Sequence, residues 1–498
     1  MSSLRGPEEL DLRAMARHGA IHFVGVAGAG MASLAELILR AGGRATGCDL
    51  RPGVVGETLR ALGAEILVGH DPAHVADAVA VVTTAAVPQD HPELAAARAR
   101  GIPVLKRAAA LGALVNQGTV VAVAGTHGKT TTSAMATAIL EEGGLRPTGF
   151  VGGRVGAWGS GLRSGAHRLF VVEADEYDRS FLTLRPDIAI VTTLEADHLD
   201  TFGSLEAVEE AFGRFIAPIT AHGLLVAGTD DAGARRLLER FDGPTLGYGL
   251  AKDATLRATE VRSLGRGSRS VLMLRGQRLG ELELQVPGAH NLRNALAALG
   301  AALHLDVTFE AAARALKSFA GVARRFQDLG EHHGVAVIDD YAHHPTEIEA
   351  TLAAARGAFP ERRLIAVFQP HLYSRTRDFA ERFGQVLARA DECWITDVYP
   401  AREPPIPGVT GELIANAARR VGGARVRYHP SIETLPDALV SVMRPGDVAL
   451  CLGAGTITEA AHRIAALLEQ ERGGVTVASN SRDTHAREDE GSGGGHAT

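Results

Sequence analysis

The chain has 498 residues, of which 46% are apolar and 22% charged, as in soluble globular proteins; at roughly 150 residues per domain its length predicts about three domains. A formal net charge of −7 excludes a general nucleic-acid binder, which carries a basic excess. Three widely separated cysteines (Cys48, Cys393 and Cys451), with no C-x-x-C, argue against a disulfide framework or a zinc site built from cysteine and favour a reducing compartment.

Met1 to Ala20 carries charges throughout and has no apolar run, so no secretory signal is expected. No stretch approaches 18 consecutive apolar residues, so no membrane span is expected and the cytoplasm is the expected location. The chain then alternates short apolar runs, Gly-rich or polar turns, and Ala/Leu-rich helical stretches. That order predicts an α/β protein with mostly parallel sheets, whose strands read as continuous apolar runs because both faces are covered.

The first unit is a strand over Ile21–Val26, a turn Ala27–Gly30 and a helix Met31–Arg40. A strand Arg44–Asp49 follows, then short runs around Ile66 and at Val79–Thr83, giving a Rossmann-like domain that ends near Gln117. The turn offers only Gly25-x-x-Gly28-x-Gly30, not G-x-G-x-x-G. It suits a diphosphate, and Asp49 lies about 20 residues on, where an acid meets a ribose.

The second unit opens with the strand Val120–Ala124 and runs into Gly125-Thr126-His127-Gly128-Lys129-Thr130-Thr131-Thr132, which opens a helix. Glycines let backbone N–H groups turn toward phosphate oxygens, and a helix N-terminus adds unpaired donors. Lys129 suits the β/γ phosphates and the Thr130 hydroxyl suits Mg²⁺. Val123 stands where G-x-x-x-x-G-K-[ST] requires glycine, so the loop is a shortened variant. Further strands at Leu169–Glu173 and Asp187–Thr192 end in acids or hydroxyls. The run from Glu173 to Asp178 holds four acids in six residues, which suits a Mg²⁺–nucleotide site. In Thr192–Asp200, His198 stands beside acids as a metal or phosphate contact, against the commoner structural role of an isolated histidine. Thr255–Val286 alternates and predicts antiparallel strands. His290-Asn291-Leu292-Arg293-Asn294 precedes a helix; its asparagines suit an adenine edge, although a helix cap is the commoner use of such a residue. The domain ends near Ala323.

The third unit has strands at Val335–Ile338, Leu364–Phe368, Glu392–Thr396 and Val448–Leu452. Ile338–Pro345 and Phe368–Arg377 are polar strand ends in one sheet, which predicts a concave site. A metal pair at His343-His344 is the weaker reading, because adjacent residues rarely point the same way. From about Ala478 the composition cannot bury apolar surface, and a disordered tail is expected.

Together these motifs resemble the Mur ligase family from about Ala20 to about Leu468. The matching segments are Gly25–Met31, Gly125–Thr132, Glu173–Phe181, Glu195–Thr201, His290–Asn294, Arg324–Phe326, Asp339–Glu347 and Phe368–Thr376. The resemblance implies a Rossmann-like UDP-sugar domain over 1–117, a central P-loop ATPase-like α/β domain over 118–323, a Rossmann-like C-terminal domain over 324–477, and a tail over 478–498. It implies ATP and Mg²⁺ as cofactors and is nearest the alanine-adding members, whose substrates are UDP-N-acetylmuramate and L-alanine. Such an enzyme joins them through an acyl phosphate in peptidoglycan precursor synthesis, as a monomer or homodimer.

By that resemblance Gly125, Thr126, His127, Gly128, Lys129, Thr130 and Thr131 hold the phosphates. Thr130, Glu173 and His198 hold metal. His290, Asn291, Asn294 and Arg325 contact the nucleotide, and Asp339 or Asp340 the ribose. Tyr341, His344, His371 and Arg375 face the amino acid and the reacting carboxylate. His22, Gly28 and Gly30, with Asp49, hold the UDP portion. Lys129, Glu173, His198, His344 and Arg375 form the catalytic set, and the acceptor of the amine proton is left open. Related ligases carry a lysine, modified to a carbamate, shortly after the segment equivalent to His198. No lysine occurs here between His198 and Gly223, as in alanine-adding members. The rival activities are a recycling ligase that attaches a tripeptide to the same sugar nucleotide, an NAD-dependent oxidoreductase, and a non-catalytic nucleotide-binding scaffold.

Overall fold

A computed structural model describes residues 10–84, 86–195, 199–401 and 403–470. The expectations for His198 and for the tail lie outside the described residues. Three sheets follow one another along the chain.

The first sheet contains β1 (Ala20–Val24), β2 (Arg44–Asp49), β3 (Glu65–Val68), β4 (Ala78–Thr83) and β5 (Val104–Lys106), in the order β3-β2-β1-β4-β5. All neighbours are parallel. Ile21, Phe23, Val24, Ala80, Val81 and Val82 are fully buried, the continuous apolar signal of a covered strand. β1 stops two residues short of the expected Val26 because Gly25 turns with φ +75°. Strand order reverses at β1, which puts the glycine turn at the mouth of the sheet.

The second sheet holds β6 (Thr119–Ala124), β7 (Thr148–Val155), β8 (Ser160–Arg163), β9 (Leu169–Glu173), β10 (Ile188–Val191), β11 (Leu224–Gly228), β12 (Thr245–Gly249), β13 (Leu256–Leu264), β14 (Gly267–Leu274) and β15 (Gln277–Leu284). The order is β15-β14-β13-β12-β11-β10-β6-β9-β7-β8. β14 and β15 form the expected antiparallel extension on β13, and β8 closes the other edge in the antiparallel sense. Helices Lys129–Glu142 and Ala289–His304 share one core, in which Ala134, Met135, Ile139, Leu292, Ala295 and Leu299 are buried.

The third sheet holds β16 (Gln327–His332), β17 (Val335–Asp340), β18 (Arg363–Phe368), β19 (Glu392–Ile395), β20 (Arg425–Tyr428) and β21 (Asp447–Leu452), ordered β16-β17-β21-β18-β19-β20. Only β16 pairs antiparallel. β17 runs two residues beyond the expected Ile338, so Asp339 and Asp340 are consecutive strand residues and face opposite sides.

Candidate active site

The loop after β6 is held by its own chemistry. Gly125 has φ +127°, and a Cβ there would meet Thr192 Oγ1 at 2.2 Å. Gly128 has φ +82° and caps the helix Lys129–Glu142. The hydroxyl of Thr193 accepts from the His127 N–H at 3.1 Å, and its carbonyl accepts from the Thr126 N–H at 2.9 Å. Lys129 folds back under the loop, donating to the Gly125 carbonyl at 2.7 Å and to Glu176 Oε1 at 2.8 Å. Burial opposes its charge, but the carboxylates of Glu176, Asp175 and Glu173 outweigh burial and keep its pKa above the ordinary lysine value.

Beside it, Thr130 Oγ1 donates to Glu173 Oε1 at 2.8 Å, and the Gly152 N–H donates to Glu173 Oε2 at 2.5 Å. A hydroxyl and a carboxylate side by side are hard oxygen donors and fit Mg²⁺. Arg325, from the segment entering the third sheet, reaches Thr130 Oγ1 at 3.5 Å.

A cavity of about 340 Å³ lies between the second and third sheets, lined by His127, Gly128, Thr131, His290, Asn291, Asn294, Arg325 and Asp340 among others. It brings the loop, the His290–Asn294 segment and the end of β17 together. Its far wall is Tyr248, Asp230 and Arg293, with Arg293 Nε 2.6 Å from Asp230 Oδ2. Asn291 is not the cap: the helix starts at Ala289 with Gly288 at the cap position, and the Asn291 amide donates to the Pro287 carbonyl at 2.8 Å. Burial, with Arg293 and Arg325 nearby, pushes the His290 pKa down to about 4.

Of the two acids ending β17, Asp340 borders this cavity and accepts from the N–H groups of Phe326 and Ala342, each at 2.7 Å. Burial raises its pKa to about 6. Asp339 points the other way, toward Thr458 Oγ1 at 3.3 Å and Arg324 at 4.0 Å.

His344 caps the helix Pro345–Ala358 in a capping box with Glu347. Its ring lies 5.1 Å from that of His127. Glu347 also approaches His127 Nδ1 at 3.2 Å, His343 Nδ1 at 3.3 Å and Arg325 at 3.9 Å. The guanidinium groups of Arg324 and Arg325 sit over the Tyr341 ring at 4.7 and 5.0 Å. His371 stacks on Tyr399 with 5.7 Å between centroids and lies 5.7 Å from the His343 ring. Burial, then the charge of Arg375, lowers its pKa to about 4. Arg375 is itself buried.

A second cavity, of about 630 Å³, lies between the first and second sheets. Gly30, Arg107, Gly152, Glu173 and Asp175 are among its lining residues, so Glu173 faces it while bonding to Thr130. Gly28 caps the helix Ala29–Arg40. Asp49 Oδ2 accepts from the Ala27 N–H at 3.1 Å, so this acid tethers the glycine turn. His22 is set apart. It is fully buried in β1, with Nδ1 2.9 Å from Thr46 Oγ1, because the period-2 alternation of the strand turns it away from the turn. Arg107 carries no local sequence signal; Glu195 and Glu347 stand at the ends of two of the matching segments without a role of their own, and for Glu347 the capping-box spacing from His344 is a further signal.

Three family models match in series: the Mur ligase family catalytic domain over 20–119, the Mur ligase middle domain over 123–302, and the Mur ligase glutamate ligase domain over 324–455. The chain is 45% identical to a UDP-N-acetylmuramate–L-alanine ligase of Solidesulfovibrio magneticus, over 91% of this chain and 98% of that one. It is 44% identical to a protein of the same name from Salinibacter ruber, over 92% and 97%. Among solved structures it resembles the UDP-N-acetylmuramate–alanine ligase of Thermotoga maritima, with a TM-score of 0.76 and 28% identity over 91% of this chain and all of that one. A murein peptide ligase from Psychrobacter arcticus follows at a TM-score of 0.65 and 25% identity, over 91% and 99%.

Proposed function

The chain belongs to the Mur ligase family, and we infer that it joins L-alanine to the lactyl carboxylate of UDP-N-acetylmuramate while ATP is converted to ADP and phosphate. The observation that carries this reading is Glu173. Its carboxylate is bonded to the phosphate loop on one side and faces the cavity of the glycine turn on the other. A carboxylate substrate in the second cavity thus meets a γ-phosphate held by the loop.

The reaction has two steps. The lactyl carboxylate attacks the γ-phosphorus and ADP leaves. The alanine amine then attacks the acyl carbon, loses a proton, and expels phosphate as the amide forms. Lys129 stabilises charge on the moving phosphoryl group, electrostatic work that a preorganised buried cation does well. Gly128, Lys129, Thr130 and Thr131, at the helix start, offer N–H groups to the phosphates, and Gly125, Thr126 and His127 shape the loop around them, with the Thr126 and His127 N–H groups bonded to Thr193. His290, Asn291, Asn294, Arg325 and Asp340 hold the nucleoside; Tyr341, His344, His371 and Arg375 receive the amino acid. Gly28 and Gly30, with Asp49 holding the turn, take the diphosphate. Thr130 and Glu173 would hold one Mg²⁺ and His198 would help hold a second; the ions neutralise phosphate charge when bound. The reaction proposed is a cytoplasmic one. No described helix is long and apolar enough to cross a membrane.

Phosphate release with UDP-N-acetylmuramate, ATP and Mg²⁺ tests the reading. L-alanine should drive release and the free tripeptide should not. Release driven by the tripeptide alone would replace this activity with the recycling one, and no release with either would remove both.

A further inference from the structure

Behind the glycine turn of the first domain lies a polar cluster that the ligation does not use. Glu93, in the first turn of the helix Pro92–Ala99, is at its centre. Its Oε2 lies 3.0 Å from Cys48 Sγ at the end of β2, 3.6 Å from His70 Nδ1 after β3, and 3.8 Å from His22 Nε2 in β1. Cys48 Sγ and His70 Nδ1 are 3.2 Å apart. His22, Cys48 and Glu93 are fully buried. The other carboxylate oxygen, Oε1, is fixed by His74 Nδ1 at 2.8 Å and by the Asp71 N–H at 3.1 Å.

Two features distinguish this cluster from a structural hydrogen-bond network. The first is spacing. Zinc–ligand bonds of about 2.0–2.3 Å in a tetrahedron put ligand atoms about 3.3–3.8 Å apart; the His70–Glu93 and His22–Glu93 separations fall in that range, while the two from Cys48 Sγ, at 3.0 and 3.2 Å, are thiol hydrogen bonds that ligation would lengthen. The donors of His22, Cys48 and Glu93 lie within 4.8 Å of one another; His70 belongs with His91 and Glu93 to a second set that shares the carboxylate, and it joins the first through Cys48 Sγ. The second is pairing. His22 Nε2 and His91 Nδ1 are buried without a hydrogen-bond partner. Buried polar groups are nearly always paired, and His22 Nε2, unpaired beside the Cys48 thiol and the Glu93 carboxylate, has the chemistry of a metal ligand.

We propose that Cys48 Sγ, His70 Nδ1, Glu93 Oε2 and His22 Nε2 bind a thiophilic divalent cation of the Zn²⁺ class. His74 and Asp71 orient the carboxylate from its far oxygen, the outer support that metal ligands usually have. On binding, Cys48 gives its thiol proton to solvent and ligates as thiolate, while Glu93 is already ionised. The widely spaced cysteines argued against a zinc site built from cysteine; this one needs a single cysteine because histidines and a glutamate supply the rest. Its position ties it to the sugar-nucleotide turn. The Cys48 carbonyl accepts from the N–H groups of Gly25 and Val26 at 2.9 and 3.0 Å, so a cation here stiffens the base of that turn.

The test uses the full chain, stripped with chelator and titrated with Co²⁺ in excess Mg²⁺, which fills hard-oxygen sites. The expected result is one equivalent of Co²⁺ with a thiolate charge-transfer absorption, displaced by Zn²⁺. Cys48→Ser should abolish the band, Cys393→Ser should leave it, and His70→Gln should weaken Co²⁺ binding at least tenfold. His70→Gln, at a partly exposed position, gives the answer if Cys48→Ser does not fold. Absence of a thiolate band, or a band that survives both Cys48→Ser and His70→Gln, overturns the proposal.

Discussion

His127 of the phosphate loop lies 3.2 Å from Glu347 of the helix Pro345–Ala358, a contact that joins the second sheet's domain to the third. A second link runs parallel to it: Thr346 Oγ1 donates to Glu195 Oε2 at 3.0 Å. Burial acts against a charged imidazole, but Glu195 and Glu347 overcome it and raise the His127 pKa from 6.5 to about 9. A raised folded-state pKa means the contribution is complete below about pH 6.5 and lost as pH rises through about 9. The wild-type melting temperature should therefore fall between pH 7 and pH 9.5 by more than that of Glu347→Gln. Breaking such a pair from one side should cost about 3 kcal/mol at neutral pH. Parallel pH profiles for the two proteins would show that this contact does not couple the domains.

Lys129 is the cation proposed to meet the phosphates, and Glu176 is its counter-charge. Lys129→Met removes the charge and leaves Glu176 alone. We expect phosphate release to fall by roughly 10²- to 10³-fold, the order found when one preorganised electrostatic contact is removed. The UDP-N-acetylmuramate affinity, read by direct titration, should change little, since Lys129 does not border that cavity. A large loss of sugar-nucleotide binding would mean that the substitution disturbs the fold.

Much of this arrangement was legible in the sequence. The strand-loop-helix at Val120–Thr132, the acid-ended strand Leu169–Glu173 and the antiparallel run after Thr255 all follow from local rules of burial, glycine freedom and alternation. What escaped depends on contacts distant in sequence. Arg107 meets Gly30 across 77 residues, and His127 meets Glu347 across 220; no local pattern encodes either. The surroundings of His22 were hidden for a related reason. It is next to the glycine turn in sequence, but the pleat of β1 sends its ring toward Thr46 and Glu93. Asp339 and Asp340 could be separated only once β17 was known to continue through both.

Gly128 cannot carry a side chain. Its φ of +82° suits glycine, and a Cβ would lie 2.5 Å from Asn294 Oδ1. Gly128→Ala strains the backbone and displaces Asn294 from the nucleotide cavity together. The ATP KM should rise at least tenfold, with a smaller change in the melting temperature than in affinity. An unchanged ATP KM would show that the loop tolerates a different backbone.

Arg107 is the cation best placed in the second cavity to meet a diphosphate. It opens the helix Arg107–Val115 and lines the second cavity across from Glu36, Glu173 and Asp175. A diphosphate entering a cavity with three acids needs positive charge, and the N-terminus of Ala29–Arg40 supplies only a partial one. A Cβ on Gly30 would come within 3.1 Å of both Cδ and Nη1 of Arg107, so the glycine gives the guanidinium room at that helix start. Arg107→Ala should raise the KM for UDP-N-acetylmuramate by about tenfold to a hundredfold, equivalent to about 1.4 to 2.8 kcal/mol. Turnover at saturating substrate and the ATP KM should stay close to wild type, because the contact is made equally before and during phosphoryl transfer. Gly30→Ala should act in the same direction but more weakly, since the flexible arginine can give by a few tenths of an ångström. Initial rates of phosphate release against sugar-nucleotide concentration decide the matter: a fall in turnover with an unchanged KM would place Arg107 in the chemistry and not in substrate capture.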